Sequence, residues 1–85
     1  MEHKVDIQMV LSAFQKIRDN GQQTEEGFEL QGVEAISSMD GYSIVMKDGH
    51  ATLYLNFHNT FQFDSDTQDH AEALLQQIEE IDRNL

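Results

Sequence analysis

Between Asp6 and Gly21 the apolar residues fall at Ile7, Val10, Leu11, Phe14 and Ile17. Spacings of three and four place them in one stripe on a helix. Asp6 stands at the N-cap, Asn20-Gly21 makes a stop, and Lys16 and Arg18 fall in the last turn, where cations suit the helix dipole. A second stripe, Ala71, Leu74, Leu75, Ile78 and Ile81, predicts a C-terminal helix. Ser65 or Asp66 is the expected cap, with Asp69 and Glu72 in or near the first turn.

Between the stripes the period drops to two. Residues 22–27 are polar and read as a loop, and Phe28, Leu30 and Val33 read as a short extended stretch broken by Gly32. Two Asp-Gly pairs, Asp40-Gly41 and Asp48-Gly49, then separate three alternating segments. Asp-Gly between such segments signals a two-residue hairpin, because a type I′ turn needs φ > 0 at both central residues. A turn at Asp48-Gly49 pairs Lys47 with His50, Met46 with Ala51, Ile44 with Leu53 and Tyr42 with Leu55. A turn at Asp40-Gly41 pairs Met39 with Tyr42, Ser37 with Ile44, Ala35 with Met46 and Glu34 with Lys47. Both registers put the same apolar set on one face. For the last hairpin, a three-residue loop His58-Asn59-Thr60 pairs Phe57 with Phe61 and Leu55 with Phe63.

These elements predict one α+β domain over residues 1–85. It is an antiparallel meander of four to five strands, flanked by an N-terminal and a C-terminal amphipathic helix packed on one face. The opposite face carries Glu34, Ile36, Ser38, Ser43, Val45, Lys47, Thr52, Tyr54 and Asn56. It is mixed, with Ile36, Val45 and Tyr54 as an apolar patch at its centre.

Composition narrows the function classes. The net charge is −11, and it is segregated: residues 21–41 sum to −5 and residues 64–85 to −6, while the other segments are neutral. Such a surface repels phosphates, which argues against direct nucleic-acid binding and favours basic protein partners. There is no cysteine, so no disulfide and no thiolate chemistry. No apolar run is long enough to span a bilayer, and the N-terminus has no signal-peptide core, so a cytoplasmic location is expected.

Candidate chemistry is sparse. Asp64-Ser65-Asp66-Thr67-Gln68-Asp69 opens like a calcium loop, but Asp69 takes the place of the turn glycine and Leu75 that of the bidentate glutamate. His50 and His58 lie eight residues apart on one strand, about 26 Å, too far to share a metal. His70 stands beside Asp66 and Asp69, with no helical His partner at zinc spacing. Ser37, Ser38, Ser43 and Ser65 lack nucleophile-elbow glycines. Glu25, Glu26, Glu29 and Glu34 form a run, not a pair over an apolar pocket. Phe57, Phe61 and Phe63 read as core, and His58 and Asn59 as exposed recognition residues at a turn tip. No catalytic residue, metal or cofactor is expected.

Phe14 with Lys16-Ile17-Arg18, the loop Gly21…Thr24-Glu25…Gly27, Leu30…Gly32-Val33, Asp40-Gly41-Tyr42 and Phe57-His58-Asn59 span most of the chain. In these residues the chain resembles a family of short, uncharacterised bacterial proteins, a conserved domain of unknown function. The resemblance implies a bacterial, cytosolic, stand-alone protein and brings no catalytic residue, cofactor or substrate.

The residues favour a small non-catalytic protein-interaction or self-associating module, a homodimer included. Its expected partner surface is Ile36, Val45, Tyr54, His58 and Asn59. The alternatives are an acidic inhibitor or mimic aimed at a nucleic-acid-binding protein, and a small-ligand-binding protein with its pocket between helices and sheet.

Overall fold

A computed structural model describes residues 5–38, 43–56 and 60–85. The elements run α1 (Ile7–Asn20), β1 (Gln22–Gln23), β2 (Phe28–Leu30), β3 (Val33–Ser37), β4 (Ser43–Lys47), β5 (Ala51–Asn56), β6 (Thr60–Ser65) and α2 (Gln68–Asn84). The strands form one antiparallel sheet in sequence order.

Both helices lie on one face of this sheet. From α1, Val10, Ala13 and Ile17 are buried, and from α2, Ala71, Leu74, Ile78 and Ile81. They meet Val33, Ala35, Ile44, Met46, Ala51, Leu53 and Leu55 from the strands. The apolar face predicted from the alternation is therefore the core face. Helix α1 packs over β2 and β3, α2 runs over β5, β6 and β3, and the helices pack on each other.

Caps explain the helix ends. The Asp6 carboxylate accepts from the N–H groups of Gln8 and Met9 at 3.1 and 3.2 Å. At the other end the Gly21 N–H returns to the Ile17 carbonyl at 2.7 Å. Lys16 does more than face the dipole: it reaches α2, donating to the main-chain oxygen of Asp82 and, at 3.0 Å, to its carboxylate. The cap of α2 is Thr67, not Ser65 or Asp66; its hydroxyl accepts from the His70 N–H at 3.2 Å. Strand β6 runs on through Ser65, which moves the start of the helix later in the chain.

The sheet has more strands than predicted, six rather than four or five. Two tight turns account for the difference. Residues 22–27 are not a plain loop, because Gln22 pairs with Glu29 and Gln23 with Phe28. Their turn is closed by a Thr24 N–H bond to the Gly27 carbonyl at 2.7 Å. The Thr24 hydroxyl also accepts from the Gly27 N–H and donates to Glu34 at 2.7 Å. Gly32 does not break one strand; with Gln31 it turns β2 into β3. Gln31 has φ 53° and Gly32 φ 85°, the two positive values a type I′ turn requires.

The registers sort cleanly. Glu34 pairs with Lys47, Ala35 with Met46 and Ser37 with Ile44, as predicted. The Asp40-Gly41 turn itself, with Met39 and Tyr42, lies outside the described residues. Between β4 and β5 the register is shifted by two from the prediction: Lys47 pairs with Thr52, Met46 with Leu53 and Ile44 with Leu55. The turn centres on Gly49-His50, with φ +96° at Gly49 alone, so it is not the I′ turn expected at Asp48-Gly49. The Asp48 carboxylate accepts from the N–H groups of His50 and Ala51 at 2.9 and 3.0 Å, which holds Asp48 in the flank rather than in the turn. The last hairpin is also two residues off. Leu55 pairs with Phe61, Leu53 with Phe63 and Asn56 with Thr60. A two-residue shift keeps every side chain on its face, so the core survives both errors.

One core assignment fails. Phe61 points to the helix side of the sheet but is 39% exposed, because β6 is the edge strand and the helices leave that end of it uncovered. Phe63 packs at the margin of the core. Phe57 lies outside the described residues.

Candidate functional site

The face of the sheet away from the helices is ordered into three rows by the strand registers. One row is charged: Glu29, Glu34, Lys47, Thr52 and Asp64 lie side by side across five strands. The next row is Ile36, Val45, Tyr54 and Gln62. The third is small and polar, Ser43, Asn56 and Thr60, with the Ser38 hydroxyl accepting from the Ser43 N–H at 3.1 Å. The alternation that buries one face forces this arrangement on the other.

Three of the five predicted surface residues therefore form a direct cross-strand series. Ile36 and Val45 are half-buried and Tyr54 is 39% exposed. His58 and Asn59, the remaining two, lie outside the described residues.

Electrostatics give the patch an acidic border. The Lys47 ammonium lies 3.7 Å from Glu34 and 4.0 Å from Glu26, so one cation is shared between two carboxylates. Glu29 and Asp64, in the same row, are both exposed. Glu34 is held by Thr24 as well, which ties the β1–β2 turn to this row.

A second cluster adds His50 to the His70 and Asp66 pair that the sequence places together. The His50 and His70 rings stack with centroids 4.8 Å apart, tilted by 30°. Asp66 and the His70 Nδ1 are 2.6 Å apart. That contact pushes the His70 pKa up from its ordinary 6.5 and the Asp66 pKa down from 3.8. The pairing of Ala51 with Ser65 is what brings the β4–β5 turn beside the start of α2. Histidine spacing along the chain carries no trace of it. Among the described residues no group of three His, Asp or Glu side chains is placed to hold a metal ion.

Two clefts lie among the described residues. A cleft of about 160 Å³ lies between α1 and β2–β3, lined by Phe14, Arg18, Phe28 and Ser37 among others. A shallower one of about 320 Å³ sits over the charged row, between Glu29, Glu34, Lys47 and Gly49. Ligand pockets usually enclose about 300–1,000 Å³ behind mostly apolar walls. The first is smaller than that, and the second is lined by charge. Among the described residues no polar or charged side chain is buried, so nothing aims an unpaired polar group into either cleft. Among the described residues no helix is long and apolar enough to cross a membrane.

Comparison with known proteins gives a family and no activity. The model of a family described as a protein of unknown function, DUF3081, matches residues 5–85. No curated protein and no solved structure matches the chain.

Proposed function

The chain belongs to the DUF3081 family of proteins of unknown function, and we propose that it is a non-catalytic interaction module that binds a protein partner through the outer face of its sheet. The observation that carries this reading is the apolar row Ile36–Val45–Tyr54, set between a charged row and a small polar row. An apolar centre with a polar border is the anatomy of a protein–protein contact, and a central tyrosine is a frequent anchor in one. The acidic row defines the partner: a surface with an apolar centre and basic residues along one side. The clefts, by their size and lining, favour this over a small-ligand site.

The test is a paired capture experiment from cells that make the protein. Val45→Lys places a charge in the row without touching the core. The proteins retained by the native chain and lost by Val45→Lys and Tyr54→Lys are the expected partners, and Glu72→Lys on the far side of the molecule should retain them. Identical captured sets for native and Val45→Lys, with both folded by circular dichroism, would refute the proposal.

A further inference from the structure

The two edges of the sheet are unlike. Strand β1 is two residues long, and shortness protects an edge from pairing. Strand β6 is six residues long, and its pairing with β5 is unbroken from Ser65 to Thr60, so no bulge twists the edge away. Its sequence, Thr60-Phe61-Gln62-Phe63-Asp64-Ser65, has no lysine and no proline. It lies last in the sheet order, so its outer side meets no described strand. Phe61 stands exposed on the helix side of this edge. An edge with these properties is a template for another strand.

We infer that β6 pairs antiparallel with β6 of a second copy of this chain, making a two-fold dimer with a continuous twelve-stranded sheet. The strand is self-complementary about Gln62. Centred there, Phe61 of each copy lies opposite Phe63 of the other, on the helix side, and covers the ring the monomer leaves exposed. Gln62 meets Gln62 on the outer side, where two amides exchange hydrogen bonds. Asp64, the only charged residue of the strand, falls opposite Thr60, so the two carboxylates sit at opposite ends of the seam. In a chain of net charge −11 the strand itself carries one charge, Asp64, and its pairing works against the repulsion of the acidic α2 that runs over it. A two-fold seam also closes on itself and leaves only the short β1 edges open.

The dimer deepens the proposed function. Gln62 belongs to the same row as Ile36, Val45 and Tyr54, so the two apolar rows run in line across the seam. Use of this doubled surface rests on the outer-face reading; the dimer itself does not.

Cysteine cross-linking tests the geometry, because the native chain has no cysteine to interfere. Residues directly opposite in an antiparallel pair have Cα atoms about 4.5 or 5.5 Å apart, and both spacings suit a disulfide. Under mild oxidation Gln62→Cys should give a disulfide-linked dimer, and Tyr54→Cys, separated from its counterpart by both β6 strands, should not. By sedimentation the native chain should have twice the chain mass. Phe61→Lys should weaken the dimer by roughly tenfold or more, since a lysine on an edge strand blocks pairing, with unchanged circular dichroism. Val45→Lys should leave the dimer intact while losing the partner, which separates failure of the seam from failure of the outer-face reading. A native chain that is monomeric at high micromolar concentration overturns the inference. So does cross-linking through Tyr54→Cys and not Gln62→Cys, which would place the contact between outer faces instead.

Discussion

At the scale of the residue, the contact between Asp66 and His70 makes a definite pH statement. The carboxylate bound to His70 raises the pKa of the imidazole, and the imidazole lowers that of the acid. Protonated His70 is the form that gains, so its contribution to stability is full below the unfolded value of 6.5 and is lost as pH rises through the raised folded value. The acid's contribution runs the other way: it is present above 3.8 and lost as pH falls through the lowered folded value. The pair is therefore at full strength between those limits. In an NMR titration His70 should have a midpoint above 6.5, and Asp66→Asn should move it down. A midpoint at or below 6.5 in the native chain would show that the contact is absent. The effect on stability stays small because both groups face solvent. Asp66 and His70 are four residues apart, so this contact was within reach of the sequence. His50 was not, because its place beside His70 depends on how two strands and a helix come together.

At the scale of the element, the sequence showed faces better than turns. Alternation decides which side of a strand is buried, and a slip of two residues leaves that unchanged. Ile44, Met46, Leu53 and Leu55 therefore keep their core face although the β4–β5 pairing differs by two residues from the one the Asp48-Gly49 turn predicts. The turns depend on single backbone angles, and composition misled there. Asp48-Gly49 has the residues of a type I′ turn, but the Asp48 side chain binds the turn from its flank. Gln31-Gly32 adopts two positive φ values without the Asn or Asp that would announce them. A glutamine at φ 53° is strained relative to asparagine, which tolerates the left-handed region. Gln31→Asn should therefore stabilise the fold by about 0.5–1 kcal/mol. The bond from the Gln77 side chain to the residue 31 carbonyl at 2.8 Å involves only main chain on that side and should persist. Urea unfolding of the two chains measures the difference. An unchanged or lower midpoint would show that Gln31 is not held in the left-handed region.

At the scale of the whole molecule, charge sets the two proposed contacts against each other. The sequence located the acidic segments, and the strand order showed where they fall: α2 runs over β6, the open edge, while Glu29, Glu34 and Asp64 line one side of the outer face. The seam between two β6 strands gains by pairing and by covering Phe61, and it is opposed by the repulsion of two chains each carrying −11. That repulsion acts across solvent, where the Debye length falls from about 14 Å at 0.05 M salt to about 4 Å at 0.5 M. Raising the salt over that range should tighten the dimer severalfold, as read by sedimentation at fixed protein concentration. The outer face has the opposite sign. Its partner is drawn by Glu29, Glu34 and Asp64 toward basic residues, and the same salt should weaken that binding. Titrating one sample with salt therefore distinguishes the contacts without a mutation. A dimer that weakens as salt rises would mean that opposite charges hold it, and the β6 edge would then be the wrong seam.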